Sequence, residues 1–560
     1  MRKDTFIRGA FIATACIILT KILGILYVIP FYAIVGDEGI IIYGAAYNIY
    51  VIFLNLSTIG LPLAISKLVS EYHALGYEST KQRTYKIAGT IMIVSSVIVT
   101  VLLFVMAPFI ANNIIRFPEA MADYNAIHGT FLIEEITMVI RVSASAIIFV
   151  TLISMMRGYL QGMKYIQPSS ISQVIEQAVR VAVILIGSYA AIHVFGATTG
   201  GAVALAVFGA TLGAMASFVY LKHKKNQIPG NEIVFVQKEE MDITKKDLFK
   251  KIIRYTLPLI IMQLIMSAFQ MVGMFTMVRT LTTHALFSVE EASIIMNIVT
   301  TLGQKLNGIV VAIGMGVVVS LLPNLTSDYT KGETDALKYK INKAIQIVLY
   351  LTIPMAVGLS FLAEPVWTMF YGYSYHGSNI FQFSVFTSVF VSLFTTVLIM
   401  LQSLSRFKGM YIALMSGFLF NIIMNIPLMV FFHNVGLPIY LGNVLSVSIG
   451  MLIAIIIGLY DVKKHLNINY RNTFKQTAYI SLAAGVMYGV LSLISLIIPI
   501  TEISREMTIP IIILYSALGA GIYFGITCIT KTFENVIGRE LLKDIFRIKK
   551  KELSYNSEEN

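Results

Sequence analysis

Fourteen apolar runs, each long enough to cross a bilayer, divide this 560-residue chain and constrain its fold more than any short motif does. They lie at about 6–35, 40–69, 87–110, 136–156, 169–191, 197–221, 255–279, 293–322, 341–363, 378–402, 409–432, 437–460, 476–499 and 509–530, bounded by charge or by Gly and Pro. At about 20 residues per spanning helix, fourteen helices occupy roughly 280 positions. About half the chain is left for helix extensions, short connections and tails, so no large soluble domain fits. Composition agrees, with 57% hydrophobic and 13% charged residues, against roughly half and about a quarter in soluble domains. The expected fold is an all-α polytopic membrane protein of about fourteen transmembrane helices.

The formal charge is +12, and its distribution gives it meaning. Lys and Arg cluster at Arg2/Lys3/Arg8, Lys81/Arg83/Lys86, Arg157/Lys164, the run from Lys222 to Arg254, Lys331/Lys338/Lys340, Arg406/Lys408, Lys463/Lys464/Arg471/Lys475 and the segment from Lys543 to Lys551. The intervening connections carry little beyond Arg116, Arg141, Arg279 and Arg505. This alternation follows the positive-inside rule for fourteen spans and predicts both termini cytoplasmic. The basic balance therefore reflects membrane topology, and no nucleic-acid partner is expected. The two cysteines, Cys16 and Cys528, sit in apolar runs at opposite ends of the chain and indicate neither a disulfide framework nor a metal site. The stretch Phe6 to Val35 is too long for a signal-peptide core and reads as the first span.

Three pairs of segments suggest an internal repeat: Phe6-Ile7-Arg8 with Ile252-Ile253-Arg254, Leu68 to Tyr72 with Leu325 to Tyr329, and Leu160 to Lys164 with Leu404 to Lys408. They fall at matching places in two sets of six spans. Six is even, so both halves insert with the same orientation, a parallel repeat that permits rocking of one half against the other. The expected organisation is an N-lobe at 1–221 (spans 1–6), a cytoplasmic amphipathic linker at 222–250, a C-lobe at 251–460 (spans 7–12), two added spans at 461–531, and a basic cytoplasmic tail at 532–560. Apolar residues in that tail, Phe533, Val536, Ile537, Leu541, Ile545 and Phe546, suggest a segment lying along the inner leaflet.

A cation at the centre of a spanning helix costs about 2.5–3.5 kcal/mol on insertion scales, so it is expected to face a wet cavity or a partner. Lys21 in span 1 is such a residue, and Lys305 in span 8 is its counterpart, beside Gln304 and Asn307, which are expected to share a polar face with it at helical spacing. Arg279 lies near the outer mouth of span 7, as an orientation anchor or a late substrate contact. Arg8 and Arg254 sit where spans begin, as interface anchors or gating groups. Glu176 and Arg180, at i and i+4 in span 5, read as a self-neutralising pair. A cavity with excess Lys and Arg favours an anionic substrate, with phosphate the usual reason to keep permanent cations there.

Catalytic signatures are absent: the sequence has no H-E-x-x-H, Walker loop or C-x-x-C, and its eight histidines are scattered. Asp37-Glu38 occupies a position where polyprenyl-phosphate glycosyltransferases place acids, but Gly36-Asp37-Glu38-Gly39 is only a tight turn. No enzyme activity, cofactor or metal is expected.

Thr20-Lys21-Ile22-Leu23-Gly24, Gly36 to Gly39 with Tyr43, Leu61-Pro62 through Ser70-Glu71, and Gly303-Gln304 through Leu321-Leu322-Pro323 together resemble one family. It is the stage V sporulation protein B/MurJ-type branch of the multidrug/oligosaccharidyl-lipid/polysaccharide exporter superfamily of Gram-positive bacteria. The resemblance covers essentially the whole chain. It implies a multi-pass protein of the bacterial cell membrane that flips an undecaprenyl-pyrophosphate-linked cell-wall precursor, lipid II, to the outer leaflet by alternating access. It also implies that the basic residue before Leu-Gly in span 1, here Lys21, lines a cationic cavity, and that the last two helices form a groove for the lipid tail. Relatives carry an arginine near Tyr27-Val28, which this chain lacks. They also carry a basic residue before the Gly-Gln of span 8, where this chain has Leu302 and its nearest cation is Lys305. Other readings are a flippase for another lipid-linked saccharide of capsule or spore cortex, a cation-coupled drug exporter, and a scaffold for the cell-wall synthesis machinery.

Overall fold

No water is available in hydrocarbon to take up backbone hydrogen bonds, so a chain this apolar satisfies its N–H and C=O groups within helices. The computed structural model describes residues 6–58, 61–113, 122–227, 243–501 and 503–537, and among them every regular element is helical. The first eight helices are α1 Phe6–Leu26, α2 Val28–Thr58, α3 Leu61–Leu75, α4 Glu78–Asn113, α5 Ala122–Gly162, α6 Ile166–Ala182, α7 Ser188–His193 and α8 Thr199–Asn226. Next come α9 Lys245–His284, α10 Val289–Asn297, α11 Gly303–Lys331, α12 Thr334–Phe361, α13 Ala363–Tyr371 and α14 Tyr375–Ser384. The rest are α15 Thr387–Ser403, α16 Phe407–Asn434, α17 Tyr440–Leu466, α18 Arg471–Ser495, α19 Arg505–Ile529 and α20 Thr532–Ile537. π-helical turns at Val183–Gly187 and Ile298–Leu302 join α6 to α7 and α10 to α11.

Among the described residues, eleven helical segments are long and apolar enough to cross a membrane. They coincide with expected spans 3 to 6 and 8 to 14. The other three expected spans fall on α1 to α3 and on α9, where parts of the chain or its side chains lie outside the described residues. Much of the linker and the tail beyond Ile537 also lie outside them. The turn at Gly36 is a kink within α2, where φ 66° and ψ −169° suit glycine.

The helices form two compact units. The first takes Ala15–Gln263 with Leu322–Lys331, and the second takes Phe6–Thr14, Leu264–Leu321 and the chain from Gly332 onward.

Two pairs of turns share their backbone geometry. α3 ends on Gly76 (φ 80°) and α11 on Gly332 (φ 76°). The N–H donated by Glu78 to Gly76 O is matched by that of Thr334 to Gly332 O, an offset of 256 (332 minus 76). Lys164 (φ 67°) closes the α5–α6 turn and Ser405 (φ 56°) the α15–α16 turn. Each turn has the same paired bonds, Lys164 N to Gln161 O with Tyr165 N to Leu160 O, and Ser405 N to Gln402 O with Arg406 N to Leu401 O. This offset is 241 (405 minus 164), and it also carries the start of α8 at Thr199 to the start of α17 at Tyr440. The sequence pairs therefore stand out of register, because Glu71 corresponds to Ser327 rather than Asp328, and Lys164 to Ser405 rather than Lys408. A capping turn fixes register by its hydrogen bonds, and these two turns differ in side chain at the left-handed position.

Small residues set the closest helix approaches, as expected where lipid tails compete equally for apolar side chains. On α17, a Cβ added to Gly450 would lie 2.7 Å from Gly417 O of α16, and Gly417 is equally confined by the Gly450 carbonyl. At the equivalent crossing in the first unit, Gly209 and Gly213 of α8 face the Arg180 and Glu176 carbonyls of α6. Gly417→Leu is expected to cost at least about 1–3 kcal/mol through overpacking. A melting curve in detergent measures this, and an unchanged midpoint would show that the crossing yields.

Helices α18 and α19 belong to the second unit and pack on α12. Thr473 of α18 donates to Asn342 Oδ1 at 2.6 Å and accepts from Gln346 Nε2 at 3.1 Å. Tyr350 pairs with Thr527 at 3.0 Å, and Tyr523 donates to Tyr350 O at 2.9 Å. Phe533, Val536 and Ile537 of α20 are buried in this unit. Their apolar faces are thus spent on protein, a correction to the expectation that they lie on the inner leaflet; Leu541, Ile545 and Phe546 are outside the described residues.

Candidate functional site

The charged core of the first unit is built by α5, α6 and α8. Glu176 on α6 accepts from Arg180 Nη2, one turn later, at 2.6 Å and from Arg157 Nη2 of α5 at 2.8 Å. Arg157 also donates to Ser172 Oγ at 2.8 Å and Ser217 Oγ at 3.0 Å, and Arg180 to Gln177 Oε1 at 3.3 Å. These three charged side chains are only 12–20% exposed. Gly213 and Ser217 lie on one face of α8, small enough to let the guanidinium reach the carboxylate.

The i, i+4 pair expected from the sequence forms, but it does not neutralise itself. Two guanidiniums share one carboxylate, so the cluster carries a net +1. The Nε of Arg180 is buried without a hydrogen-bond partner among the described residues, a costly arrangement for a charged donor.

Tyrosines of α2 border this cluster. Tyr43, Tyr47 and Tyr50 recur at i, i+4 and i+7 along one helix face, with ring centroids 5.5 Å apart for the stacked Tyr43–Tyr47 pair and 6.0 Å for Tyr47–Tyr50. Tyr27 and Tyr43 share a hydrogen bond of 2.9 Å between hydroxyls. Tyr43, Tyr47, Tyr50, Ser143 and Arg180 enclose a niche of ≈ 10 Å³, about one water's volume. α1 approaches the same cluster, since a Cβ on Gly24 would stand 3.1 Å from Gln177 Nε2.

Lys21, one turn before Gly24 on α1, is exposed and has no ion-pair partner among the described residues. Lys305 and Arg279, in the second unit, are likewise exposed. Lys305 does not share a face with Asn307: the amide of Asn307 is 2% exposed and donates to Ser384 O at 3.2 Å. Residues two apart on a helix point in nearly opposite directions, which corrects the shared polar face expected there. Arg254 is exposed on α9, and the side chain of Arg8 lies outside the described residues, as do those of Asp37 and Glu38. At the offset of 241 between the two turns, Arg180 of the first unit corresponds to Asn421 of the second. Asn421 lies in a neutral network, accepting from Ser446 Oγ at 3.0 Å and donating to Phe269 O at 3.1 Å.

A second cluster in the first unit gathers around Lys67, Ser70 and Glu71 of α3. Lys67 on α3 is 1% exposed, with its Nζ 4.5 Å from the Tyr255 ring centroid. Lys251 pairs with Glu71 at 2.8 Å. Burial would pull the Lys251 ammonium down, but the Glu71 hydrogen bond and charge outweigh it and hold the group above the usual lysine range. Ser70 donates to Pro323 O at 2.6 Å and Lys164 to Ser327 Oγ at 3.1 Å, tying the C-terminal end of α11 to α3 and α5.

Eleven described helical segments long and apolar enough to cross a membrane, gathered in two compact units, make this an all-helical polytopic membrane protein, and its relatives place it among the membrane transporters of the multidrug/oligosaccharidyl-lipid/polysaccharide exporter superfamily. An outward-facing multidrug resistance MATE family transporter of that superfamily superposes with a TM-score of 0.63 at 14% identity, covering 83% of this chain and 96% of that one. The chain belongs to the polysaccharide biosynthesis protein family, whose profile matches residues 6–323. It is 27% identical over 548 residues to the lipid II flippase MurJ of Bacillus subtilis (strain 168), covering 96% of this chain and 98% of the relative. Stage V sporulation protein B of the same organism is 30% identical over 186 residues, 33% of each chain.

Proposed function

We propose that this protein flips an undecaprenyl-pyrophosphate-linked cell-wall glycan precursor, of the lipid II type, from the inner to the outer leaflet by alternating access. The observation that carries this reading is the similarity to a lipid II flippase over 96% of the chain. The chemistry supports it. Lys21, Lys305 and Arg279 are exposed cations on membrane helices, suited to a pyrophosphate, and hydroxyls and aromatic faces of the Tyr43–Tyr50 column suit a sugar. The lobes at 1–221 and 251–460 act as the alternating halves, with both termini cytoplasmic.

Native mass spectrometry of gently extracted protein tests the cargo. A co-purifying polyprenyl-pyrophosphate disaccharide-peptide is the expected result. A capsule or spore-cortex repeat unit in its place would replace lipid II with another lipid-linked saccharide, the reading that the similarity to stage V sporulation protein B favours. A loaded cavity whose net charge is negative gains about 2.3 kcal/mol per charge per 100 mV on moving outward against an inside-negative potential. Collapsing the potential in proteoliposomes should therefore slow outward flux at least several-fold, and an unaltered rate would exclude voltage as a driving term.

A further inference from the structure

The repeat gives one helix face two different surroundings. At the offset of 256, buried Ala88, Met92 and Ser96 of α4 correspond to buried Ala344, Val348 and Thr352 of α12, so the two helices turn the same side inward. Lys86, Thr90 and Val94 then correspond to Asn342, Gln346 and Tyr350, the residues that α18 and α19 cover in the second unit. In the first unit no described residue covers that face. Val94 is 52% exposed while its counterpart Tyr350 is 4% exposed.

The open face is an elongated groove of ≈ 720 Å³. Ile87, Ile91, Val94 and Ile98 of α4 line its length with Phe249 of α9, and Arg83, Lys86 and Lys245 gather at one end. None of these three cations has a carboxylate partner among the described residues. The nearby acid Asp247 is engaged by Thr244 at 2.5 Å. From Ile87 to Ile98 the groove runs eleven residues, about 16 Å of helix, close to the ~15 Å depth of one leaflet's hydrocarbon. The cationic end lies at the inner surface in the orientation the Lys/Arg bias predicts.

We infer that this groove holds one anionic phospholipid of the inner leaflet, its phosphate on Arg83, Lys86 and Lys245 and an acyl chain along Ile87 to Ile98. The lipid takes the place that two helices fill in the other unit. Charge complementarity selects the occupant: a second copy of this chain or an apolar helix would leave three cations unmatched at the rim, whereas an anionic headgroup meets them. The inference is independent of which glycan the protein moves.

Native mass spectrometry of the full-length protein, exchanged into equal amounts of phosphatidylglycerol and phosphatidylcholine, tests it. The wild type should retain one phosphatidylglycerol with about tenfold or greater preference. The triple variant R83Q/K86Q/K245Q should lose that preference. Val94→Trp, which fills the groove without touching a charge, should lower retention of both lipids, and the exposed position should leave the melting temperature unchanged. Undiminished phosphatidylglycerol retention in the triple variant, or in a folded Val94→Trp protein, would overturn the assignment. So would a homodimer or a bound polyprenyl lipid that Val94→Trp releases in its place.

Discussion

Glu176→Ala should destabilise the first unit by about 3–5 kcal/mol, the range for breaking a buried ion pair from one side. The carboxylate is the sole acid bridging Arg157 and Arg180 among the described residues, and both guanidiniums would be left facing each other inside a helical unit. Glu176→Gln keeps an acceptor oxygen but not the charge and should fall between alanine and wild type. Replacing all three side chains together by Arg157→Met, Glu176→Leu and Arg180→Met removes the charges with their partners and should restore much of the loss. Thermal unfolding in detergent reads all three. A Glu176→Ala protein melting within a degree or two of wild type would mean that water or lipid already reaches the cluster.

Lys21→Ala should abolish complementation of a flippase-depleted strain while leaving the protein level unchanged. Lys21 is exposed and unpaired among the described residues, so removing it breaks no structural contact and the loss would be one of function. Lys21→Arg keeps the charge and should retain partial growth. Full growth of the alanine variant would remove Lys21 from the substrate path, and a missing protein band would assign it a structural role instead.

The spans were legible because hydropathy and Lys/Arg bias act on whole segments, and eleven described helices fall where those segments lie. The matching turns were not legible in register: Gly76 and Gly332 are glycines among many, and Lys164 and Ser405 share a left-handed backbone angle but no side chain. The Glu176–Arg180 pair follows from helical spacing. Its third member does not, since Arg157 stands on another helix and carries the same topogenic signal as any cytoplasmic arginine. The i, i+4, i+7 spacing of Tyr43, Tyr47 and Tyr50 was available in the sequence, yet an aromatic stripe at that spacing is ordinarily packing. Only its closure on Arg180 sets it apart.

The hydrogen bonds that join α12 to α18 and α19 have a consequence for biosynthesis. Tyr523 reaches back 173 residues to Tyr350, and at about 5–20 residues per second the ribosome needs on the order of ten to thirty seconds to supply it. Through that interval the Tyr350 hydroxyl sits in nascent chain without Thr527, and Gln346 waits over a separation of 127 residues for its acceptor Thr473, in a solvent that offers neither. This flank of α12 is therefore completed only by chain synthesised long after it, and until then its polar groups face either lipid or a temporary partner.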